Sequence, residues 1–403
     1  MVTIRRTFKA FQYRDFRLMW VGACTSSIGT WMQIVAQGWL IYRLSHSAFL
    51  LALDQFLGGI PIFLLSLLGG VIADRVERRR ILLASQYLQL ASAGTLTLLV
   101  ATGTVHVWMI LCLSLVSGFA QAFGGPAYSA LIPTLVERND MPNAIALNSI
   151  QFNLAVAVGP ALGGMTLAKF GEAWCFGLNT ISFLAPVVAL TMISSRFQPK
   201  KTTDSMLSSF RQGIDFVRRQ GSMEALILLA FCMTFLSMPL RTYFPVFVKD
   251  IFHRGPETLG WLSSFMGVGS ICGSLVIASL GNFRHKGRLA VLMMIVLGFA
   301  ISAFSLSRTL PVSYAIVTLV GFAMMTVFAT VTSLVQLITT DDMRGRVMSV
   351  YNAAFRGGMP MGNLASGGLQ HLFNAPIVLA ANGLLLVLVA SYFIVIRARV
   401  TTL

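Results

Sequence analysis

Three charged side chains lie inside long runs of apolar residues: Asp54, Arg241 and Arg356. An ionised side chain in hydrocarbon costs at least about 2.5 to 3.5 kcal/mol, so each of them needs a function or a partner. A carboxylate in such a position can carry a proton, and an arginine can pair with that carboxylate. We therefore expect Asp54 to carry a proton and to pair with Arg241 or Arg356.

Two other interpretations of Asp54 stay open at this point. An ion pair with an arginine could serve only to fix the packing of two helices. Asp54 also lies only about 9 Å from the nearer end of its apolar run, at about 1.5 Å per residue, so its side chain could face the interface. Arg241 is expected at a similar depth in its own run, and Arg356 near mid-depth.

Uncharged polar side chains form a second group within the apolar runs. The candidates for lining a cavity are Gln33, Gln37, Gln121, Asn148, Gln151, Gln336 and Asn352. Gln33 and Gln37 are four residues apart, which places them on one face of a helix. Each of these residues could instead form a hydrogen bond between helices.

The sequence contains no pattern typical of an enzyme. Its five histidines lie at the edges of apolar runs, away from any carboxylate at a useful spacing, and no metal-ligand spacing or phosphate-binding loop is present. We therefore expect no enzymatic activity, no metal and no cofactor. A proton gradient is the expected driving force for transport.

The composition requires lipid as solvent. The chain has 403 residues, of which 56% are hydrophobic and 11% are charged, too apolar for one water-soluble core. The net charge of +16 suggests nucleic acid at first. However, the basic residues stand at the ends of apolar runs, where they set membrane topology instead, and no nucleic-acid partner is expected.

Twelve apolar runs are long enough to cross a bilayer. They cover residues 18–42, 48–73, 81–102, 107–125, 144–169, 174–195, 224–248, 257–280, 289–307, 311–338, 346–370 and 375–396. Lys and Arg are strongly concentrated in one set of alternate loops, which is typical of the cytoplasmic side. The sequence predicts an all-α polytopic protein of the inner membrane, with twelve spans and both termini in the cytoplasm.

The two halves of the chain contain similar segments at corresponding positions. Residues 73–80 align with residues 281–288. Asn148 aligns with Asn352, and Gly163 and Gly164 align with Gly367 and Gly368. Such displacements of about half the chain are typical of transporters built from repeats. The predicted domains are a six-helix bundle (1–195), a cytoplasmic linker with an amphipathic helix (196–222) and a second six-helix bundle (223–403).

The short loop after the second run contains Gly70, Asp74, Arg75, Arg78 and Arg79. This G-x-x-x-D-R-x-x-R-R pattern resembles the signature loop of the major facilitator superfamily, although Glu77 stands where glycine is usual. The resemblance implies two pseudo-symmetric six-helix bundles. Asp74 lies near a helix end, where it can pair with an arginine or cap the amino terminus of a neighbouring helix, and either contact can break when the halves rock apart.

Residues Gly159, Pro160, Gly163 and Gly164 resemble the G-P-x-x-G-G motif of antiporters in the same superfamily, with Ala155 in place of an upstream glycine. A proline bends a helix, and glycines let a neighbouring helix approach closely. The motif therefore suits gating. A purely structural kink is the alternative interpretation.

Further stretches resemble the enterobactin-exporter-like subgroup of the superfamily. They are the run 11–42, Pro126, Pro133, residues 143–148 and residues 342–349. The resemblance implies a monomeric, proton-coupled exporter of amphipathic small molecules such as siderophores or drugs, working by alternating access. The alternatives are an importer or a lipid or lysolipid transporter on the same fold, and a membrane sensor.

Overall fold

A computed structural model describes residues 8–75, 77–193, 206–281, 283, 285–370 and 372–395. These residues form helices and connecting loops, with no strand among them. The helices are α1 (Arg14–Ser45), α2 (Ala48–Arg75), α3 (Arg78–Ala101), α4 (Val107–Leu131), α5 (Met141–Phe170), α6 (Glu172–Ser182), α7 (Leu184–Met192), α8 (Met206–Arg219), α9 (Gly221–Ser237), α10 (Pro239–Thr242), α11 (Phe244–Val246), α12 (Pro256–Leu280), α13 (Lys286–Leu306), α14 (Leu310–Ile338), α15 (Arg344–Leu369) and α16 (Ala375–Val395). Short 3₁₀ turns cover Lys9–Gln12, Ile132–Thr134 and Arg138–Asp140, and a π turn covers Phe247–Ile251.

The predicted apolar runs lie on these helices. Within the described residues, nine helical stretches are long and apolar enough to cross a bilayer. The long helices α1, α3 and α15 are not among the nine. They carry more polar side chains, which include Gln33, Gln37, Asn352 and Arg356, and these lower their hydropathy.

Two predicted runs are interrupted. The run 174–195 is divided between α6 and α7 at Phe183, and the run 224–248 is divided among α9, α10, α11 and the π turn. Pro186, Pro239 and Pro245 lie just after the interruptions. A proline lacks the amide hydrogen needed for the preceding helical turn, which explains the interruptions.

The chain divides into two compact units. Unit 1 contains Met1–Ser45, Ile60–Thr203 and Pro256–Gly260, and unit 2 contains His46–Gly59, Asp204–Gly255 and Trp261–Leu403. The first part of α2 is therefore grouped with unit 2, and the first turn of α12 with unit 1. The division into 1–195, 196–222 and 223–403 remains a prediction.

Each unit has the same order of helix packing. In unit 1, α1 packs on α5, α3 packs on α4, and α3 also packs on α6. In unit 2, α9 packs on α15, α13 packs on α14, and α13 also packs on α16. Because these pairs stand at equivalent places in the two halves of the chain, the packing agrees with an internal repeat.

The linker helix α8 belongs to unit 2 and packs on α15 and α9. Its sequence is amphipathic, and Val217 is buried. A Cβ placed on Gly213 would lie 2.7 Å from the carbonyl oxygen of Arg346, so the backbones of α8 and α15 are in close contact. The expected amphipathic helix exists, and at least part of its apolar face contacts protein. Residues 194–205 of the linker lie outside the described residues.

Candidate functional site

Asp54 is a buried carboxyl group on α2, within unit 2. The residue is 3% exposed, and its Oδ2 accepts a hydrogen bond of 3.2 Å from Nε2 of Gln55. It lies six residues after Ala48, the first residue of α2, which is about 9 Å along the helix. A carboxyl group in this apolar stretch gains stability when it is neutral or paired, which is the property that a proton carrier uses.

Arg241 lies on α10, the short segment of the interrupted helix. Thr242 beside it donates a hydrogen bond of 2.9 Å to Oδ1 of Asn363 on α15, which anchors the segment. Prolines on both sides interrupt the regular hydrogen bonding, so the segment can hold Arg241 in an orientation that a continuous helix would not provide. The sequence prediction of one unbroken helix missed this arrangement, although Pro239 and Pro245 could have signalled it.

Arg356 lies on α15, and its environment differs from that of the other two charges. It is exposed, and it makes no ion pair or hydrogen bond with the described residues. Asp54 and Arg241, by contrast, each take part in further interactions. The pairing of Asp54 with either arginine remains a prediction.

Polar side chains of three helices form a connected network in unit 1. Nδ2 of Asn179 donates to Oε1 of Gln33 at 2.6 Å, and Nε2 of Gln33 donates to Oε1 of Gln37 at 3.2 Å. Nε2 of Gln37 then donates to Oγ of Ser114 at 2.8 Å. The shared face of Gln33 and Gln37 is therefore present. Asn179 is not among the residues predicted from the sequence to line a cavity, although an asparagine within an apolar run is a usable signal.

The other cavity candidates fall into two groups. Nε2 of Gln151 donates to the carbonyl oxygen of Ala23 at 3.2 Å and to Ser27 at 2.9 Å, and Asn148 accepts a bond of 2.8 Å from the hydroxyl of Tyr128. These two amides thus connect helices within unit 1. The second group is exposed and consists of Gln121, Gln336 and Asn352. Since amides are poorly solvated by hydrocarbon, the second group marks helix faces suited to water.

The glycine motif of α5 produces a close contact between backbones. A Cβ placed on Gly159 would lie 2.9 Å from the carbonyl oxygen of Ile28, and one on Gly163 would lie 2.9 Å from the backbone of Met32. Gly164 meets a different neighbour, because its Cβ would lie 2.8 Å from Cα of Gly260 within unit 1. Pro160 is accommodated inside a continuous α5.

Unit 2 contains an equivalent contact. On α15, Gly358 and Gly362 are four residues apart and meet the backbone of α9 at Phe231 and Phe235. Phe231 and Phe235 follow Ile28 and Met32 of α1 by the same number of residues, so the two pairs lie at equivalent places in the two halves of the chain. Gly358 and Gly362 therefore make in unit 2 the backbone contact that Gly159 and Gly163 make in unit 1.

Two arginines of the signature loop bind the carboxyl ends of other helices in unit 1. Nη1 of Arg78 donates to the carbonyl oxygen of Ala130 at 3.0 Å, and Nη2 of Arg79 donates to that of Thr191 at 3.0 Å. A cation at a helix carboxyl end is favoured by the helix dipole. Gly70, Asp74 and Arg75 lie in α2, but their side chains are outside the described part, so the expected contact of Asp74 remains a prediction.

The second copy of the loop retains one of these contacts. Nζ of Lys286 donates to Oγ of Ser333 on α14 at 3.0 Å, which parallels the contact of Arg78 with α4. Gly287 follows Lys286 where Arg79 follows Arg78. The second copy therefore lacks the arginine that binds the end of α7 in unit 1.

The segment before α1 folds onto the loop between α4 and α5. Nζ of Lys9 lies 2.7 Å from Oδ1 of Asp140, and Tyr13 and Gln12 donate to Oδ2 at 2.8 and 3.1 Å. The hydrogen bond and the negative charge of Asp140 raise the pKa of Lys9 above its usual 10.5. The sequence analysis did not anticipate this cluster, because its partners are far apart along the chain.

These observations define a class of protein. Helices of membrane-spanning length carry exposed amides, a buried carboxyl group and two arginines, and they pack in the same order in two units. Such an interior is typical of a multi-pass membrane protein that transports solutes.

Comparison of this sequence with known protein families shows the family to which the chain belongs. Residues 6–403 match the family model described as a transmembrane secretion effector, a family of the major facilitator superfamily. The chain belongs to this family, which consists of transporters and not of enzymes. The expected resemblance to the superfamily and to enterobactin exporters is confirmed.

Solved structures agree with this fold. A POT family transporter in complex with a thioalcohol conjugated peptide superposes with a TM-score of 0.74 at 12% identity, covering 96% of this chain and 97% of that one. A second peptide transporter POT structure gives a TM-score of 0.76 at 12% identity, with 96% and 94% coverage. At this identity the likeness supports the fold alone.

Curated relatives match over most of their length. The multidrug efflux pump Tap of Mycolicibacterium fortuitum is 24% identical, over 87% of this chain and 88% of the relative. The enterobactin exporter EntS of Shigella boydii is 25% identical over 94% and 91%. Macrolide efflux protein A of Streptococcus pyogenes is 21% identical over 89% and 91%.

Proposed function

We propose that this protein exports amphipathic small molecules, such as siderophores or drugs, from the cytoplasm across the inner membrane. The observation that carries the proposal is the match of residues 6–403 to a secretion family, together with similarity to three efflux proteins of different substrate range. An importer or a lipid transporter on the same fold is not favoured by these relatives.

The proposal includes twelve membrane crossings with both termini in the cytoplasm. Nine stretches qualify by hydropathy, and α1, α3 and α15 supply the other three. These helices have 32, 24 and 26 residues, enough for a hydrocarbon core about 30 Å thick. Their polar side chains are expected on helices that line a transport path. The alternating distribution of Lys and Arg supports the orientation.

Transport by alternating access is supported by two matching contacts. Gly164 on α5 meets Gly260 at the start of α12, within unit 1. Gly367 on α15 approaches Ala52 near the start of α2, within unit 2. Small residues at both contacts allow close approach without interlocked side chains. Such contacts can separate and re-form at low energetic cost, as alternating access requires.

Proton coupling in this proposal depends on Asp54. It is the one described carboxyl group that lies more than an end turn inside a membrane-spanning helix. Arg241 is favoured as its partner over Arg356, because Asp54 and Arg241 both take part in further interactions, whereas Arg356 makes no ion pair within the described residues. Protonation of Asp54 would remove its charge and weaken the pair, which links proton entry to a change of conformation.

Flux into inside-out membrane vesicles tests the direction and the coupling together. With an acidic interior, we expect accumulation of a labelled macrolide or of enterobactin, and loss of accumulation when a protonophore removes the gradient. Asp54→Asn should abolish gradient-driven accumulation, whereas Glu257→Gln, the same change of acid to amide in the first turn of α12, should retain it.

The opposite results would each contradict part of the proposal. Accumulation only in right-side-out vesicles would identify an importer. Undiminished gradient-driven flux by Asp54→Asn would exclude Asp54 as the proton carrier. Absence of flux with intact ligand-induced signalling in cells would favour a membrane sensor.

A further inference from the structure

Arg356 lies at the middle of α15 and cannot reach either end of the helix. It follows Arg344 by twelve residues and precedes Leu369 by thirteen, which places it about 18 Å from one end and about 20 Å from the other. Arginines near helix ends avoid hydrocarbon by extending toward the interface. This solution is not available to Arg356, so its guanidinium group remains at mid-depth.

The guanidinium group of Arg356 lacks a counter-charge in the described part of the chain. It forms no ion pair and no hydrogen bond there, and the residue is exposed. An unpaired cation facing hydrocarbon is strongly unfavourable, so the exposed side of Arg356 has to face water or an anion. Asn352, one helical turn earlier on the same side, is also exposed, and this makes the surface polar over at least one turn.

An aromatic cluster lies on the same stretch of α15 as this cation. Phe355 precedes Arg356 in the chain, and its ring centroid lies 4.7 Å from that of Phe328 on α14 and 6.3 Å from that of Tyr351. Phe355 and Phe328 are both partly exposed. A cation next to exposed aromatic rings can bind the charged group and the apolar body of one amphipathic molecule.

The charges of the interior favour an anion over a cation. Asp54 is one acidic residue against the two basic residues Arg241 and Arg356, and the other described acidic residues lie in loops, in the end turns of membrane-spanning helices, or on α8. A cationic solute would therefore find Asp54 alone, and the proposed mechanism already uses that group. An anionic solute would find Arg356.

We propose that Arg356 binds an oxyanion of the transported molecule, with the aromatic surface of Phe328 and Phe355 contacting its apolar part. The substrates accordingly include amphipathic acids, which bear a carboxylate, a sulfonate or an acidic phenol. This inference rests on the proposed transport function and adds the chemical class of the substrate. Arginine suits the role, because its planar group binds an oxyanion through two parallel hydrogen bonds.

Equilibrium binding to the purified protein in detergent tests the proposal without a proton gradient. The probes are pyrenebutyrate, its uncharged methyl ester and a quaternary ammonium analogue with the same ring. We expect the acid to bind about tenfold more tightly than the ester, as charge-assisted hydrogen bonds do relative to neutral ones. Arg356→Gln should remove this preference while leaving the affinity for the ester unchanged, and Arg356→Lys should retain part of it.

Arg308→Gln is the matched control, since it removes one positive charge from a loop of the same unit. It should leave all three affinities unchanged, and thermal unfolding of each variant verifies that the protein is folded. Equal affinity for acid and ester in the unaltered protein would overturn the proposal. An equal loss of both affinities in Arg356→Gln, or tighter binding of the quaternary ammonium, would also overturn it.

The binding experiment and the vesicle experiment can fail independently. A preference for the acid that depends on Arg356 supports the anion site even when vesicles show no export. Export of macrolide or enterobactin without any preference for the acid excludes the anion site and leaves the proposed function in place.

Discussion

Single amides fix the polar interior of unit 1. Asn179 is 1% exposed and donates to Gln33, which is thereby oriented to donate to Gln37. A buried amide oxygen that loses its donor costs about 1 to 3 kcal/mol in proteins, and a hydrogen bond between membrane helices contributes about 1 kcal/mol. The orientation of Gln33 and Gln37 therefore depends on a residue that no transported molecule needs to touch.

Replacement of Asn179 by leucine tests this dependence. We expect Asn179→Leu to destabilise the protein by about 1 kcal/mol, since Oε1 of Gln33 would lose its donor. Thermal unfolding in detergent measures the change. Gln121→Leu, at an exposed amide with no hydrogen bond to the described residues, is the control and should unfold like the unaltered protein. An equal effect of the two substitutions would show that the network does not contribute.

The Asp140 cluster makes a prediction about pH. Because its pKa is raised by Asp140, Lys9 contributes stability that is fully present below its unfolded value of 10.5 and is lost as pH rises through the raised value. Asp140→Asn should therefore lower the unfolding temperature equally at pH about 6 and about 9. Lys9→Met should have a smaller effect, since the side chain is 51% exposed and its attraction is screened. A difference between the two pH values would contradict this assignment.

At the scale of elements, α8 illustrates how an amphipathic segment can be fixed to the protein. Gly213 is the point where α8 approaches α15, and a side chain there would meet the backbone of Arg346. Since α15 also carries Arg356 and the glycines that contact α9, displacement of α8 would reach the proposed binding surface through one helix.

We expect Gly213→Val to displace α8 and to reduce flux severalfold without loss of the folded protein, because the β-branched side chain cannot fit against the Arg346 carbonyl. Gly221→Val is the control, since a Cβ at Gly221 has no other atom within 4 Å. Flux in vesicles and limited proteolysis between α7 and α9 measure the two effects. Unchanged flux and unchanged proteolysis in Gly213→Val would refute the role of this contact.

At the scale of the whole molecule, the positions of the helices could be predicted from the sequence, but the contacts between distant residues could not. Apolar runs separated by basic loops locate the helices, because a hydrocarbon solvent leaves few alternatives. Contacts such as those of Asp140 with Lys9 or of Asn179 with Gln33 join residues far apart in the chain. Periodicity contains no information about them.

A cross-link tests whether the contacts at Ala52 and Gly367 must open during transport. In a variant without the five native cysteines, Ala52→Cys with Gly367→Cys should form a disulfide, since the Cβ atoms are adjacent. Flux should stop on oxidation and return on reduction. Ala52→Cys with Gly368→Cys is the control, because a Cβ on Gly368 contacts no other atom. Full flux through the oxidised first pair would exclude alternating access at this contact.

The grouping of the first part of α2 with unit 2, and of the first turn of α12 with unit 1, has a consequence for either half of the chain. A single six-helix half, produced alone, would leave the start of its second helix without the surface on which that segment packs. Two copies could exchange those segments reciprocally.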